Sequence, residues 1–109
     1  MAYEGVLTAL ADPTRRSIFE SLRTAPRTVG ELAADLPVSR PAVSQHLKVL
    51  RAAKLVGVEP RGNRNLYSLR RDGLQELRRY LDTFWSEALG AYKAEINRRI
   101  KDDPKRRKK

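Results

Sequence analysis

The chain has 109 residues, 40% hydrophobic and 33% charged, with 23 Lys and Arg against 13 Asp and Glu for a net charge of +10. That length supports one domain around one core and excludes a multi-domain enzyme. The absence of cysteine removes disulfides, thiolate zinc sites and cysteine nucleophiles together.

The opening segment, MAYEGVLTAL, has no basic stretch ahead of a long apolar core. No signal peptide is therefore expected, no run approaches the roughly 18 apolar residues of a membrane span, and a cytoplasmic location is the default. A short helix, α1, is expected over residues 2–10, with Val6, Leu7 and Leu10 apolar. Asp12-Pro13 then reads as a helix start, because Asp caps well and Pro suits the first helical position. This second helix, α2, should run to about Arg23, bury Ile18, Phe19 and Leu22, and stop at Ala25-Pro26. Thr28-x-x-Glu31 is a capping box opening α3, which carries Val29, Leu32, Ala33 and Leu36.

Leu36-Pro37-Val38 is a turn, and Ser39 caps a further helix, α4, that should end near Ala53-Lys54. Leu55, Val56 and Val58 make a first strand, β1; Pro60 to Arg64 make a tip; Leu66, Tyr67 and Leu69 make a second strand, β2. A long helix, α5, is expected from Gly73 to about Ile100. Residues 1–100 then form one domain, and residues 101–109, KDDPKRRKK, form a basic tail without an apolar residue, expected to be disordered.

Charge is unevenly spread along this order. Residues 1–36 are net −1 and residues 72–97 net −2, whereas 37–71 are net +7 and 98–109 net +6. Positive charge therefore gathers on α4, the hairpin and the tail, as expected of a polyanion binder.

The α4 segment explains which polyanion. At 100° per residue, Val43, Leu47 and Leu50 fall within about 60° and form a buried stripe. Pro41, Gln45, Lys48 and Ala52 lie opposite, Ser44 flanks them, and Arg40 stands at the N-terminal end. This outward face is short, polar and partly basic, as entry into the major groove of DNA requires. Gln45 can pair bidentately with adenine and Arg40 with guanine, and Ser44 suits a base edge or a phosphate. Lys48 and Arg51 suit phosphates, as do the helix N-termini at Thr28 and Ser39. Arg61, Asn63 and Arg64 sit at a tip that can reach the minor groove. His46 projects about 60° from the buried stripe, so it reads as a partly buried packing residue. With no His or Cys companion it is not a metal ligand.

The residues thus imply a fold that is mainly α with a small β-hairpin: a winged helix-turn-helix in the order α1-α2-α3-α4-β1-β2-α5, with double-stranded DNA as partner. The final helix implies a second copy of the chain. Leu74, Leu77, Leu81, Phe84, Trp85, Ala88, Leu89, Tyr92 and Ile96 make a stripe too broad for one neighbour. A homodimer interface is expected over Leu77, Leu81, Phe84, Trp85, Ala88, Leu89 and Tyr92, joined by Val6, Leu7 and Leu10. The alternative use of the aromatic cluster is a pocket for an apolar effector. Two-fold pairing would set two reading helices about 34 Å apart, or a multiple of it, on an inverted repeat.

Three segments carry a resemblance to the ArsR family of small winged-helix transcriptional repressors. They are Leu10-Ala11-Asp12-Pro13-Thr14-Arg15-Arg16, Thr28-Val29-Gly30-Glu31-Leu32-Ala33, and Ser39 through Leu50. The resemblance covers nearly everything from Val6 to about Tyr92. It implies a homodimer that binds operator DNA, often released by a ligand. It puts Arg40, Pro41, Ser44 and Gln45 on the base-reading positions and Arg61 to Arg64 on the wing tip. It does not carry metal sensing: where one class of family sensors has Cys-x-Cys, this chain has Glu31-Leu32-Ala33-Ala34-Asp35. A second family site needs Asp and His from the last helix, and residues 73–100 hold no histidine; Asp82, Glu87 and Glu95 alone suit a borderline metal poorly. No cofactor is expected, and no effector is identified.

Two other functions fit the residues less well. One is a non-specific nucleic-acid or nucleoid binder driven by the tail. The other is a protein-interaction module on the same fold, which net +7 on residues 37–71 disfavours unless the partner is acidic. An enzyme is not expected, for want of a glycine-rich phosphate loop or a spaced acid–base pair.

Overall fold

The starts of the three internal helices of this chain, α2, α3 and α4, are set by local chemistry, and the computed structural model, which describes residues 2–102, places them where caps occur. The order is α1 (Ala2–Ala11), α2 (Pro13–Ser21), α3 (Val29–Ala34), α4 (Arg40–Ala52), β1 (Val56–Arg61), β2 (Arg64–Leu69) and α5 (Arg71–Asp102). The Asp12 carboxylate accepts the Arg15 backbone N–H at 3.0 Å, with Pro13 opening α2. Thr28 and Glu31 form the reciprocal capping box of α3. Ser39 Oγ accepts the Ala42 N–H at 3.3 Å to open α4.

Three helices differ from expectation at their ends. α2 stops at Ser21, with Leu22 as its C-cap, and α3 stops at Ala34. Leu22 and Leu36 still pack with the core from the flanking turns, so apolar periodicity outlasts helical geometry there. α5 is longer than expected, from Arg71 to Asp102, so Lys101 and Asp102 belong to the helix and not to the tail. The rest of the tail, residues 103–109, lies outside the described residues.

The hairpin is also longer than its apolar residues suggested. β1 and β2 pair antiparallel from Val56↔Leu69 to Arg61↔Arg64, leaving only Gly62-Asn63 as the turn. Gly62 has φ +62, as the first central residue of a two-residue hairpin often does. Pro60 is tolerated inside β1 because the closing pair Arg61↔Arg64 exchanges the ladder bonds. The next residue then points its nitrogen away from β2. On its other side, β2 is bridged by Arg27, whose N–H donates to the Tyr67 carbonyl at 2.9 Å and whose carbonyl accepts the Tyr67 N–H at 2.8 Å. The hairpin is thereby tied to the segment between α2 and α3.

The described chain divides into two units, one through Leu77 and one from Arg78 onward. In the first, Val6, Ala9, Ile18, Leu22, Leu32, Val43, Leu47, Leu50, Leu55, Val56 and Tyr67 form the core. Val6 is therefore corrected as an interface residue: at 1% exposure it fills the core of its own chain. Leu10 and Leu77 are likewise half-buried against that core, and of the three apolar α1 residues only Leu7 is exposed. In the second unit the helix is exposed along its apolar stripe, with Leu81, Phe84, Trp85, Leu89 and Tyr92 open and Tyr80 stacked on Phe84 at 6.3 Å. Among the described residues no helix is long and apolar enough to cross a membrane.

Candidate nucleic-acid interface

The buried stripe of α4, Val43, Leu47 and Leu50, locks the rotation of the helix against the core. Pro41, Ser44, Gln45, Lys48, Arg51 and Ala52 are consequently exposed. Gln45 and Lys48 have no partner among the described residues, so their donors and acceptors are available to a ligand.

Beside the N-terminal half of α4 lies a groove of about 630 Å³, bounded by α3 and the hairpin tip. Arg40 and Ser44 line it from α4, and Asn63, Arg64 and Asn65 from the hairpin. Gly30 shapes its α3 wall: a Cβ there would lie 3.1 Å from Arg40 Nη2 and 3.3 Å from Cζ. The Arg40 guanidinium thus rests over α3, at the groove and not at the outermost face of α4. Sequence periodicity placed Arg40 near the reading end of the helix, but it did not reveal this seat over Gly30.

Thr28 also lines the groove, although its side chain is committed. Its Oγ1 accepts the Glu31 N–H at 3.2 Å, and its own N–H donates to Glu31 Oε1 at 2.9 Å. The Glu31 carboxyl is held below its ordinary value of 4.5, first by the Thr28 backbone N–H and further by the charges of Arg27 and Arg64. The capping box that makes α3 therefore puts an anion in the wall, so the N-terminus of α3 is less open to phosphate than the sequence suggested. Ser39 Oγ accepts the Ala42 N–H in the same capping role. Arg61 lies at the tip within 3.5 Å of Glu59, both exposed, a pair that solvent leaves weak.

His46 is half-buried, as its angle on α4 predicted. Its Nδ1 accepts from Arg15 Nη1 at 3.4 Å. Arg15 also donates through Nε to the Ala9 carbonyl, and Arg16 donates to the Leu10 carbonyl at 2.9 Å. The paired arginines after Asp12-Pro13 thus cap the C-terminus of α1 and tie it to α4, a role the local sequence did not disclose. Among the described residues no three His, Cys, Asp or Glu side chains gather in one place. Asp82 pairs with Arg78 at 3.7 Å, and Glu95 with Arg98 and Arg99 at 2.6 and 2.9 Å.

Three packed helices presenting an exposed polar helix face, followed by a tied-down hairpin, define a winged helix-turn-helix protein. Comparison with known proteins agrees. Residues 10–59 match the model of a helix-turn-helix domain family. The chain is similar to the HTH-type transcriptional regulator Rv2034 of Mycobacterium tuberculosis, 61% identical over 84 residues that cover 77% of this chain and 78% of the other. It is 35% identical to the transcriptional repressor SdpR of Bacillus subtilis, over 65% of this chain and 79% of that one. Among solved structures, an ArsR-like transcriptional regulator from Rhodococcus sp. RHA1 superposes with a TM-score of 0.71 at 33% identity, covering 85% of this chain and 91% of that one. The protein belongs to the ArsR family of winged helix-turn-helix transcriptional regulators. It is a DNA-binding regulator, not an enzyme.

Proposed function

We propose that the protein is a homodimeric, cytoplasmic, sequence-specific repressor that reads an inverted-repeat operator through α4 and the hairpin tip. The observation that carries this reading is the outward face of α4. Gln45 and Lys48 are free, Arg40 and Ser44 adjoin them, and the opposite stripe is locked into the core. Gln45 and Arg40 supply base-edge donors, while Ser39, Ser44, Lys48 and Arg51 supply phosphate contacts. The groove wall of Asn63 and Arg64 extends the contact to the tip. Pairing of the exposed stripe Leu81, Phe84, Trp85, Ala88, Leu89 and Tyr92 with a second copy supports a two-fold dimer, with Leu7 added from α1.

The test is binding of the purified chain to its own upstream DNA against random competitor at two salt concentrations. Protection of an inverted repeat that survives competitor is expected. Gln45→Ala should cost about 1–3 kcal/mol of binding and relax preference at one base position. Weak binding that follows salt and ignores sequence would overturn the reading in favour of a tail-driven binder.

A further inference from the structure

A second groove, of about 560 Å³, opens between the C-terminal half of α4 and β1. Lys48, Arg51 and Arg70 line it, and no carboxylate does. Arg70 is fixed at its backbone and along its stem. Its backbone N–H donates to the Leu55 carbonyl at 2.8 Å, anchoring it to the segment that follows α4. Its stem crosses Gly57, where an added Cβ would lie 3.1 Å from Arg70 Cγ. Any side chain at this position would crowd the arginine stem, so glycine lets it lie this close to β1. The sheet has two strands, and Arg27 bridges β2, so among the described residues the outer edge of β1 is unpaired.

We propose that this groove is a seat for a backbone phosphate of the bound DNA, with Arg70 as its principal ligand beside Lys48 and Arg51. The inference rests on the DNA-binding reading above and adds a residue to it. Three cations converge with no acid on the lining, so the local field favours an anion. An arginine fork matches phosphate oxygens bidentately. The competing partner is Asp72, 2.8 Å from Arg70 Nη2, but both side chains are about half exposed, and solvent weakens the pair. The remaining lining, Ala52 and Val56 to Val58, offers no side-chain donor or acceptor to a base edge. The seat therefore adds affinity without sequence preference. The first groove serves the N-terminal half of α4 and this one the C-terminal half, so the reading helix gains contacts along its whole length.

The test compares the wild-type chain, Arg70→Gln and Arg23→Gln on operator and random duplexes across a salt series. Arg23 is an exposed arginine that lines neither groove. Arg70→Gln should weaken both duplexes by the same factor and make the slope of log affinity against log salt shallower by about 0.9, the loss of one phosphate contact. Arg23→Gln should leave the slope unchanged. An unchanged slope in Arg70→Gln, or a loss confined to the operator, overturns the phosphate seat. A wild-type chain without sequence preference would instead overturn the repressor reading. The slope on random DNA would still decide the seat.

Discussion

Lys54 closes α4 in a left-handed conformation, φ 61, that glycine ordinarily takes. Around it the Leu55 N–H donates to the Leu50 carbonyl at 3.0 Å and the Lys54 N–H to the Arg51 carbonyl at 2.9 Å, the two bonds of a Schellman cap. The Lys54 carbonyl then accepts the Gly73 N–H at 2.8 Å, joining the cap to the start of α5. A lysine in this conformation costs about 1–2 kcal/mol, and a glycine costs about 0.5–1 kcal/mol in chain entropy. The strain term is the larger, so Lys54→Gly should raise stability by about 0.5–1 kcal/mol, visible as a higher urea midpoint at unchanged slope. Gly73→Ala should act in the opposite direction. Its Cβ would meet the Lys54 carbonyl oxygen at 2.6 Å and the carbonyl carbon at 2.8 Å, both backbone atoms of a cap that cannot swing aside. A loss of about 1–3 kcal/mol in the same urea titration is expected.

At the scale of elements, the α1–α2 corner and the α3 capping box make the fold acid-sensitive. The Asp12 carboxyl is held below its ordinary value of 3.8, chiefly by the Arg15 backbone N–H, with the charge of Arg15 adding to it. Glu31 is held below 4.5, chiefly by the Thr28 backbone N–H. A carboxyl whose pKa is depressed on folding contributes stability that is complete above its unfolded value and is lost as pH falls through its folded value. Stability from these caps should therefore be level above the ordinary values of 3.8 and 4.5 and decline below them. Asp12→Asn keeps the capping oxygen and removes the titration. Its melting temperature should fall less steeply with acid than that of the wild-type chain. Parallel curves would show that the Asp12 charge does not contribute.

At the scale of the whole molecule, the apolar stripe of α5 and the basic charge of residues 37–71 answer different needs. Trp85 and Tyr92 are 62% and 65% exposed in the single chain, on a helix with no apolar cover in its own unit. Trp85→Glu is expected to shift the sedimenting species from twice the chain mass to once. It should leave the core through Leu77 folded, because among the described residues no core residue lies beyond that point. The same substitution should weaken operator binding sharply, since one reading helix engages only one half-site. A Trp85→Glu chain that stays dimeric would move the interface off this stripe.

The order of elements, the capped starts at Asp12, Thr28 and Ser39, and the inward and outward faces of α4 were all legible in the linear sequence. Each depends on residues within one or two turns of one another, where spacing and capping chemistry decide the outcome. What only the tertiary structure decided depends on elements meeting from far along the chain. Val6 entered the core instead of the surface, Arg27 paired with Tyr67, and Arg15 reached His46 across 31 positions. Gly30 became the bed of Arg40, and Gly57 the bed of Arg70. No local propensity encodes these contacts. A glycine used for close approach looks like any other until the fold brings a side chain to where an added Cβ would crowd it.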